Sequence, residues 1–275
     1  MTILEGVVLG VLQGLTEFLP VSSSGHLVLM QYFLGLNEPQ VFIDVMLHLG
    51  TLGAVVIVYY ESIRKLVGAG ISAVANPVFY RRPVYSVNHS SDLKLIWFIL
   101  LGSIPAGIII ILFADQLESL FDNPTIVAVM LITTGIILQL PRLRGDVGER
   151  GRSLRFWHAP LIGIAQAFAI VPGISRAGST ISLALLLGLS PRAAARYSFL
   201  LSIPAIIGAV VLKFKEVTEI TIVPISLVFG MLASFVVGYF ALRVLLSVVI
   251  RGQFSGFSYY CFALGATVLI IEPML

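Results

Sequence analysis

Gln13 and Glu17 stand four residues apart, a spacing that puts both side chains on one face of a helix. The run Pro20-Val21-Ser22-Ser23-Ser24-Gly25-His26 follows at once. A carboxylate, three hydroxyls and an imidazole so close together are the parts of nucleophilic or acid–base catalysis. Serine attacks only when a neighbouring base takes its proton, and an imidazole suits that role or the protonation of a leaving group. Breaks of this composition also bind ions or shape cavities in transporters, and spacing alone weighs the two readings equally. A second break reads Pro172-Gly173-Ile174-Ser175-Arg176-Ala177-Gly178-Ser179-Thr180. Its arginine offers a planar fork of donors that matches phosphate oxygens and stays charged. Gly178, Ser179 and Thr180 open the helix beyond, where backbone N–H groups favour an anion. In the competing reading Arg176 only braces Glu17. The two are compatible, because such a pair can open when a phosphate arrives.

Other polar residues carry less. Asp44 and His48, also four apart, are read as supporting or cavity-lining groups, and His89 and His158 as solvated histidines in charged stretches. Cys261 is the only cysteine, so an internal disulfide is excluded and a small buried hydrophobe is expected. No Cys/His cluster has zinc spacing, and no P-loop, dinucleotide fingerprint or EF-hand occurs. Nucleic acid is not an expected partner.

The elements that must position these groups are apolar helices. Of 275 residues 58% are hydrophobic and 11% charged, against about a quarter charged in a soluble domain. The mean hydropathy is +1.01. A chain of this length cannot hide so much apolar surface from water. The expected class is therefore an all-α polytopic membrane protein in one membrane domain, with spans near 41–60, 95–113, 124–141, 195–212, 222–246 and 256–272. The start of the chain lacks a basic segment and a small-residue cleavage site, so no removable signal peptide is expected.

Segments 3–36 and 156–190 differ from these spans, since each is apolar at both ends and broken in the middle. Unpaired backbone in hydrocarbon costs several kcal/mol per group, so neither break can face lipid. Each segment is expected to be a re-entrant helix–loop–helix whose loop is sheltered by protein. A carboxylate at that depth costs about 2.5–3.5 kcal/mol on insertion scales, which makes Glu17 a functional candidate.

The two segments are related. An offset of 153 places Gly10 on Gly163, Gln13 on Gln166, Gly25 on Gly178 and Leu34-Gly35-Leu36 on Leu187-Gly188-Leu189. With a slip of two, Gly53-Ala54-Val55-Val56 falls on Gly208-Ala209-Val210-Val211. The reading is an internal duplication, about 1–141 and 154–275, joined by a basic linker at 142–155 that can meet anionic lipid headgroups. One hairpin plus three spans per half turns the second half upside down, an inverted repeat that brings two broken helices together.

Basic residues orient the chain. With the N-terminus on one side, fourteen Lys and Arg fall on the opposite side, from Arg64 and Lys65 through the linker arginines to Arg243 and Arg251. Lys213 and Lys215 fall on the first side, and Arg176 lies within a break. The basic side is expected to be cytoplasmic and both termini outside.

The stretch from Gln13 to His26 resembles the (E/Q)xxxE segment and Ser-rich run of the undecaprenyl-diphosphatase, or bacitracin-resistance, family. The stretch from Pro172 to Thr180 is similar to that family's PGxSRSxxT signature, with Ala177 where the signature usually has serine. That departure removes one hydroxyl contact. The resemblance spans the whole chain and includes Ser198-Phe199-Leu200-Leu201 and Pro204. It implies release of the terminal phosphate of undecaprenyl diphosphate at the outer face of the cytoplasmic (inner) membrane, recycling the lipid carrier for cell-wall synthesis. It further implies Ser23 as nucleophile, with Glu17 and His26 as activating and proton-transfer partners. Arg176 would bind the diphosphate, aided by Ser175, Thr180, Ser22 and Gly173. A divalent cation, Mg²⁺ or Ca²⁺, is implied at Gln13 and Glu17, as are competition by bacitracin for the polyprenyl diphosphate and a homodimer.

Two other readings compete. A lipid transporter or flippase would use the same broken helices and inverted repeat. A phosphatidic-acid-type phosphatase needs a second histidine after its Ser-Arg, and none follows His158.

Overall fold

The computed structural model describes residues 2–33, 41–75, 86–145, 151–216 and 224–272. Among them the α-helices are α1 (Ile3–Phe18), α2 (Ser23–Phe33), α3 (Val41–Val58), α4 (Tyr60–Ala75), α5 (Ser86–Glu118), α6 (Pro124–Gln139), α7 (His158–Phe168), α8 (Arg176–Leu186), α9 (Pro191–Glu216), α10 (Ile225–Ile250) and α11 (Phe257–Ile271). No β-strand occurs among the described residues.

Five helical segments, in α5, α6, α9, α10 and α11, are long and apolar enough to cross a bilayer. The pair Ile43–Val58 and Tyr60–Ala75, bent by 84°, makes a sixth if counted as one broken span. The chain is thus an all-α polytopic membrane protein. Beyond the span expected at 41–60 the chain continues as α4. Its Leu66 and Ala69 are buried, while Arg64 pairs with Glu61 at 2.8 Å on the exposed side. Charged Glu61, Arg64 and Lys65 together with exposed apolar Val67, Ile71 and Val74 suit a helix lying along the bilayer surface. Leu34-Gly35-Leu36, one arm of the predicted repeat, lie outside the described residues, as do Arg81, Arg82 and Arg150.

Helix lengths account for the two hairpins. At about 1.5 Å per residue, α1 reaches about 24 Å, and α2, α7 and α8 about 16 Å each, short of the roughly 30 Å of hydrocarbon. Glu5, which interrupts the first apolar run, closes a capping box with Thr2: Glu5 N–H donates to Thr2 Oγ1 (3.2 Å) and Thr2 N–H to Glu5 Oε2 (2.8 Å).

The halves exchange packing partners. Gly6, Gly10 and Gly14 form a four-residue ridge on α1 that lies against Ser226, Gly230, Ser234 and Gly238 of α10. A Cβ on Gly10 would overlap the Gly230 carbonyl, and one on Gly14 would stand 2.8 Å from the Ser234 oxygen. Small residues at such spacing let helix backbones meet where lipid supplies no hydrophobic drive. Correspondingly, α7 of the second half lies against α5 of the first, where Gly163 meets Gly102. The closing helices α6 and α11 pack together through Gly135 on Phe262 and Gly265 on Ala128. Phe18, at the end of α1, meets Phe199 of α9 edge-on at 5.7 Å inside the main core.

Candidate active site

The chain turns back at 19–22 and at 169–175, and the helix that follows each turn is capped the same way. Ser22 Oγ accepts the Gly25 N–H at 3.2 Å, and Ser175 Oγ accepts the Gly178 N–H at 3.0 Å. Ser22 and Ser175 are themselves 153 apart, and so are Ser23 and Arg176. The first residue of each inner helix therefore supplies the serine in one half and the arginine in the other.

The turns touch. A Cβ on Gly25 would lie 3.0 Å from the Gly173 Cα. Gly173 has φ of +94°, a conformation that favours glycine, and a Cβ there would also run into the Val127 carbonyl of α6. Thr134 of α6 fixes this turn, donating to the Gly173 carbonyl (2.8 Å) and accepting the Ser175 N–H (3.0 Å). Ser22, at φ +69°, is the one non-glycine residue with positive φ among the described residues.

Glu17 is the hub where the hairpins meet. Its Oε2 accepts the Ser23 hydroxyl at 2.6 Å and the Gln13 amide N–H at 3.1 Å. Its Oε1 is ion-paired with Arg176 Nη2 across the two halves. His48 Nε2 of α3 stands 3.5 Å from Oε2. Ser23 is partly accessible, while Glu17 is buried. The second guanidinium nitrogen of Arg176, Nη1, is buried with no partner, as is Gln13 Oε1. Glu17 can thus take the proton of Ser23, while Arg176 keeps a free donor for an anion.

Other expected residues are placed differently. His26 touches neither Ser23 nor Glu17: Nδ1 meets the Ser22 carbonyl and Nε2 the Tyr260 hydroxyl, each at 2.7 Å. The Thr180 hydroxyl is fully buried, donates to the Arg176 carbonyl at 2.8 Å and lies 2.6 Å from Ser198 Oγ, so it braces α8 on α9. The Ser175 and Ser22 hydroxyls are engaged as caps, with Ser22 also 3.2 Å from Ser24 Oγ. Gly173 contributes shape. His158, expected to be solvated, is fully buried against Trp157 and accepts the Arg155 N–H at 2.9 Å. His48, read as supporting, reaches the hub itself, with Nδ1 on the Asp44 carbonyl at 2.6 Å.

The donors present fit a divalent cation that takes most of its ligands from elsewhere. No group of three His, Cys, Asp or Glu gathers among the described residues. Gln13 Oε1 is nonetheless an open acceptor beside the Glu17 carboxylate. Mg²⁺ is often held by one or two protein oxygens together with phosphate and water.

Comparison with known proteins agrees in extent and order. Relatives described as undecaprenyl-diphosphatase include one from Desulfosudis oleivorans, 45% identical over 98% of both chains. Others come from Desulforapulum autotrophicum (42%) and Methanobrevibacter smithii (38%), again over 98% of both chains. A family model described as "Bacitracin resistance protein BacA" matches residues 6–267, which include both turns and every residue named in the site. The chain belongs to the bacitracin resistance protein BacA family.

Proposed function

We propose that the chain hydrolyses undecaprenyl diphosphate to undecaprenyl monophosphate and inorganic phosphate. The observation that carries this reading is the Ser23–Glu17–Arg176 constellation: a hydroxyl on one hairpin donates to a carboxylate that an arginine from the other hairpin holds in place. The activity named for the full-length relatives supports the same reading.

Ser23 Oγ attacks the terminal phosphorus as its proton passes to Glu17 Oε2. The bond from that phosphorus to the bridging oxygen breaks, and the monophosphate lipid leaves with the bond's electrons. Water then attacks the phosphoserine, releasing inorganic phosphate and restoring the Ser23 hydroxyl. Arg176 turns Nη1 to the non-bridging oxygens, where phosphoryl transfer concentrates charge. His26 serves proton transfer in the hydrolytic half. A divalent cation held by Gln13 and Glu17 supplies further charge neutralisation when bound. The isoprenoid tail stays in lipid against the apolar outer helix faces.

Orientation follows from charge. Arg142 bonds Ser255, Arg144 bonds the Leu186 carbonyl and Arg152 bridges to Leu189, so the ends of α6, α8 and α10 gather at one basic end of the bundle. We place that end in the cytoplasm and the opening of the site at the outer face of the inner membrane. Bacitracin, by sequestering the diphosphate lipid, competes with the enzyme for substrate.

The test is inorganic phosphate release from undecaprenyl diphosphate by purified protein in detergent. Release at catalytic turnover is expected. Movement of the lipid across vesicles without phosphate release would instead favour a transporter.

A further inference from the structure

His26 is held on both ring nitrogens, and the partners determine which nitrogen carries the proton. A carbonyl oxygen can only accept, so Nδ1, 2.7 Å from the Ser22 oxygen, is the protonated nitrogen of the neutral ring. Nε2 is then a bare lone pair, and the Tyr260 hydroxyl at 2.7 Å must donate to it. The two rings lie nearly parallel, 6° apart with centroids at 5.7 Å. Tyr260 comes from α11, at the far end of the chain. The next residue, Cys261, points its Sγ at the Pro20 carbonyl (3.8 Å), so α11 is seated on the very turn that carries Ser22. Burial differs sharply across the pair: His26 is 8% exposed, whereas Tyr260 is 47% exposed. The phenol therefore covers the basic nitrogen of His26 from outside. Packing alone would need only a phenylalanine.

We propose that Tyr260 is a positioning residue for His26. Its hydroxyl holds the ring in the Nδ1–H tautomer and caps the buried Nε2, so that protons exchanged at that nitrogen pass through the Tyr260 oxygen. The inference rests on the diphosphatase reading, in which His26 serves proton transfer. Among the described residues no other titratable side chain bonds His26. Glu17 and Arg176 are bonded to one another. Asp44 of α3 accepts from Gln31 at 3.1 Å, Cys261 faces Pro20, and α6 brings no titratable side chain.

The experiment measures kcat and KM against pH for wild type, Tyr260→Phe, His26→Ala and the double variant. Phenylalanine keeps the stacked ring and removes the donor. The expected result is a kcat loss of about tenfold, the scale of one neutral hydrogen bond, with little change in KM. The acidic limb of the Tyr260→Phe profile should move to higher pH, because the unprotonated ring loses the donor that favours it. In the His26→Ala background, Tyr260→Phe should add nothing. A wild-type profile for Tyr260→Phe, or an equal loss in both backgrounds, would overturn the proposal. If wild type itself released no phosphate, the functional reading would fail instead. ¹⁵N NMR of histidine-labelled wild type tests the tautomer independently: an unprotonated Nε2 is expected, and an Nε2–H ring would refute the contact's direction.

Discussion

Glu17→Gln is the most informative single change, because it alters charge and acceptor count while keeping size. Three groups point their protons at the Glu17 carboxylate: Arg176, the Ser23 hydroxyl and the Gln13 amide. A glutamine presents one oxygen and one NH₂, so either Arg176 faces an NH₂ or Ser23 and Gln13 must turn round to accept, and Ser23 then loses its proton acceptor. The side chains of Arg176 and Glu17 are 16% and 5% exposed, so the variant leaves a guanidinium largely buried without its counter-charge. Removing one partner of such a pair costs about 3–5 kcal/mol. Loss of the base that takes the Ser23 proton should lower kcat by about 10²–10⁴-fold. Ser23→Ala separates the two effects, since it abolishes the nucleophile but leaves the ion pair intact and should cost only about 1 kcal/mol. Phosphate release and thermal denaturation in detergent, measured on both variants, make the comparison. Glu17→Gln with at least a third of wild-type kcat would refute the base. Glu17→Gln as stable as Ser23→Ala would refute the brace between hairpins.

Arg176→Lys keeps the charge but loses the fork that binds Glu17 and phosphate together. Its kcat/KM should fall by about 10²–10³-fold, measured by phosphate release. Thr134→Val leaves the Gly173 carbonyl and Ser175 N–H buried without their partner, at about 1–3 kcal/mol each, and should lower both melting temperature and kcat. Gly10→Val drives side-chain atoms into the Gly230 carbonyl and should destabilise by about 1–3 kcal/mol. Gly107→Ala on α5, where a Cβ meets nothing within 4 Å, should be neutral or stabilising by up to about 1 kcal/mol. Chelation should slow phosphate release, and added Mg²⁺ or Ca²⁺ should restore it.

Local spacing made part of the site legible. Gln13 and Glu17 share a helix face, and the structure joins them at 3.1 Å. Two broken apolar segments had to be hairpins because lipid cannot solvate a turn, and their helices are indeed too short to span. Arg176 was recognisable as either phosphate ligand or brace, and the geometry shows the brace, with Nη2 on Glu17 and Nη1 left without a partner. What spacing did not reveal depends on helices far apart in the chain. His48 reaches Glu17 only because α3 packs beside α1. Thr134 is a lone hydroxyl in an apolar span, without local sign of the turn it holds. Tyr260 lies near the start of the last expected span, without local sign of the histidine it meets. His158 looked solvated among arginines, yet Trp157 and the Arg155 N–H enclose it. The hydroxyl of Thr180 sits where the signature suggests a ligand, but helix packing turns it to Ser198.

In the proposed mechanism Ser23, activated by Glu17, forms the bond to phosphorus. That step is tested most directly with undecaprenyl diphosphate labelled in its terminal phosphate, quenched during turnover and mapped by mass spectrometry. Acid-stable label is expected on Ser23, absent from Ser23→Ala and markedly reduced in Glu17→Gln. Acid-labile label on His26, or full turnover by Ser23→Ala, would contradict it.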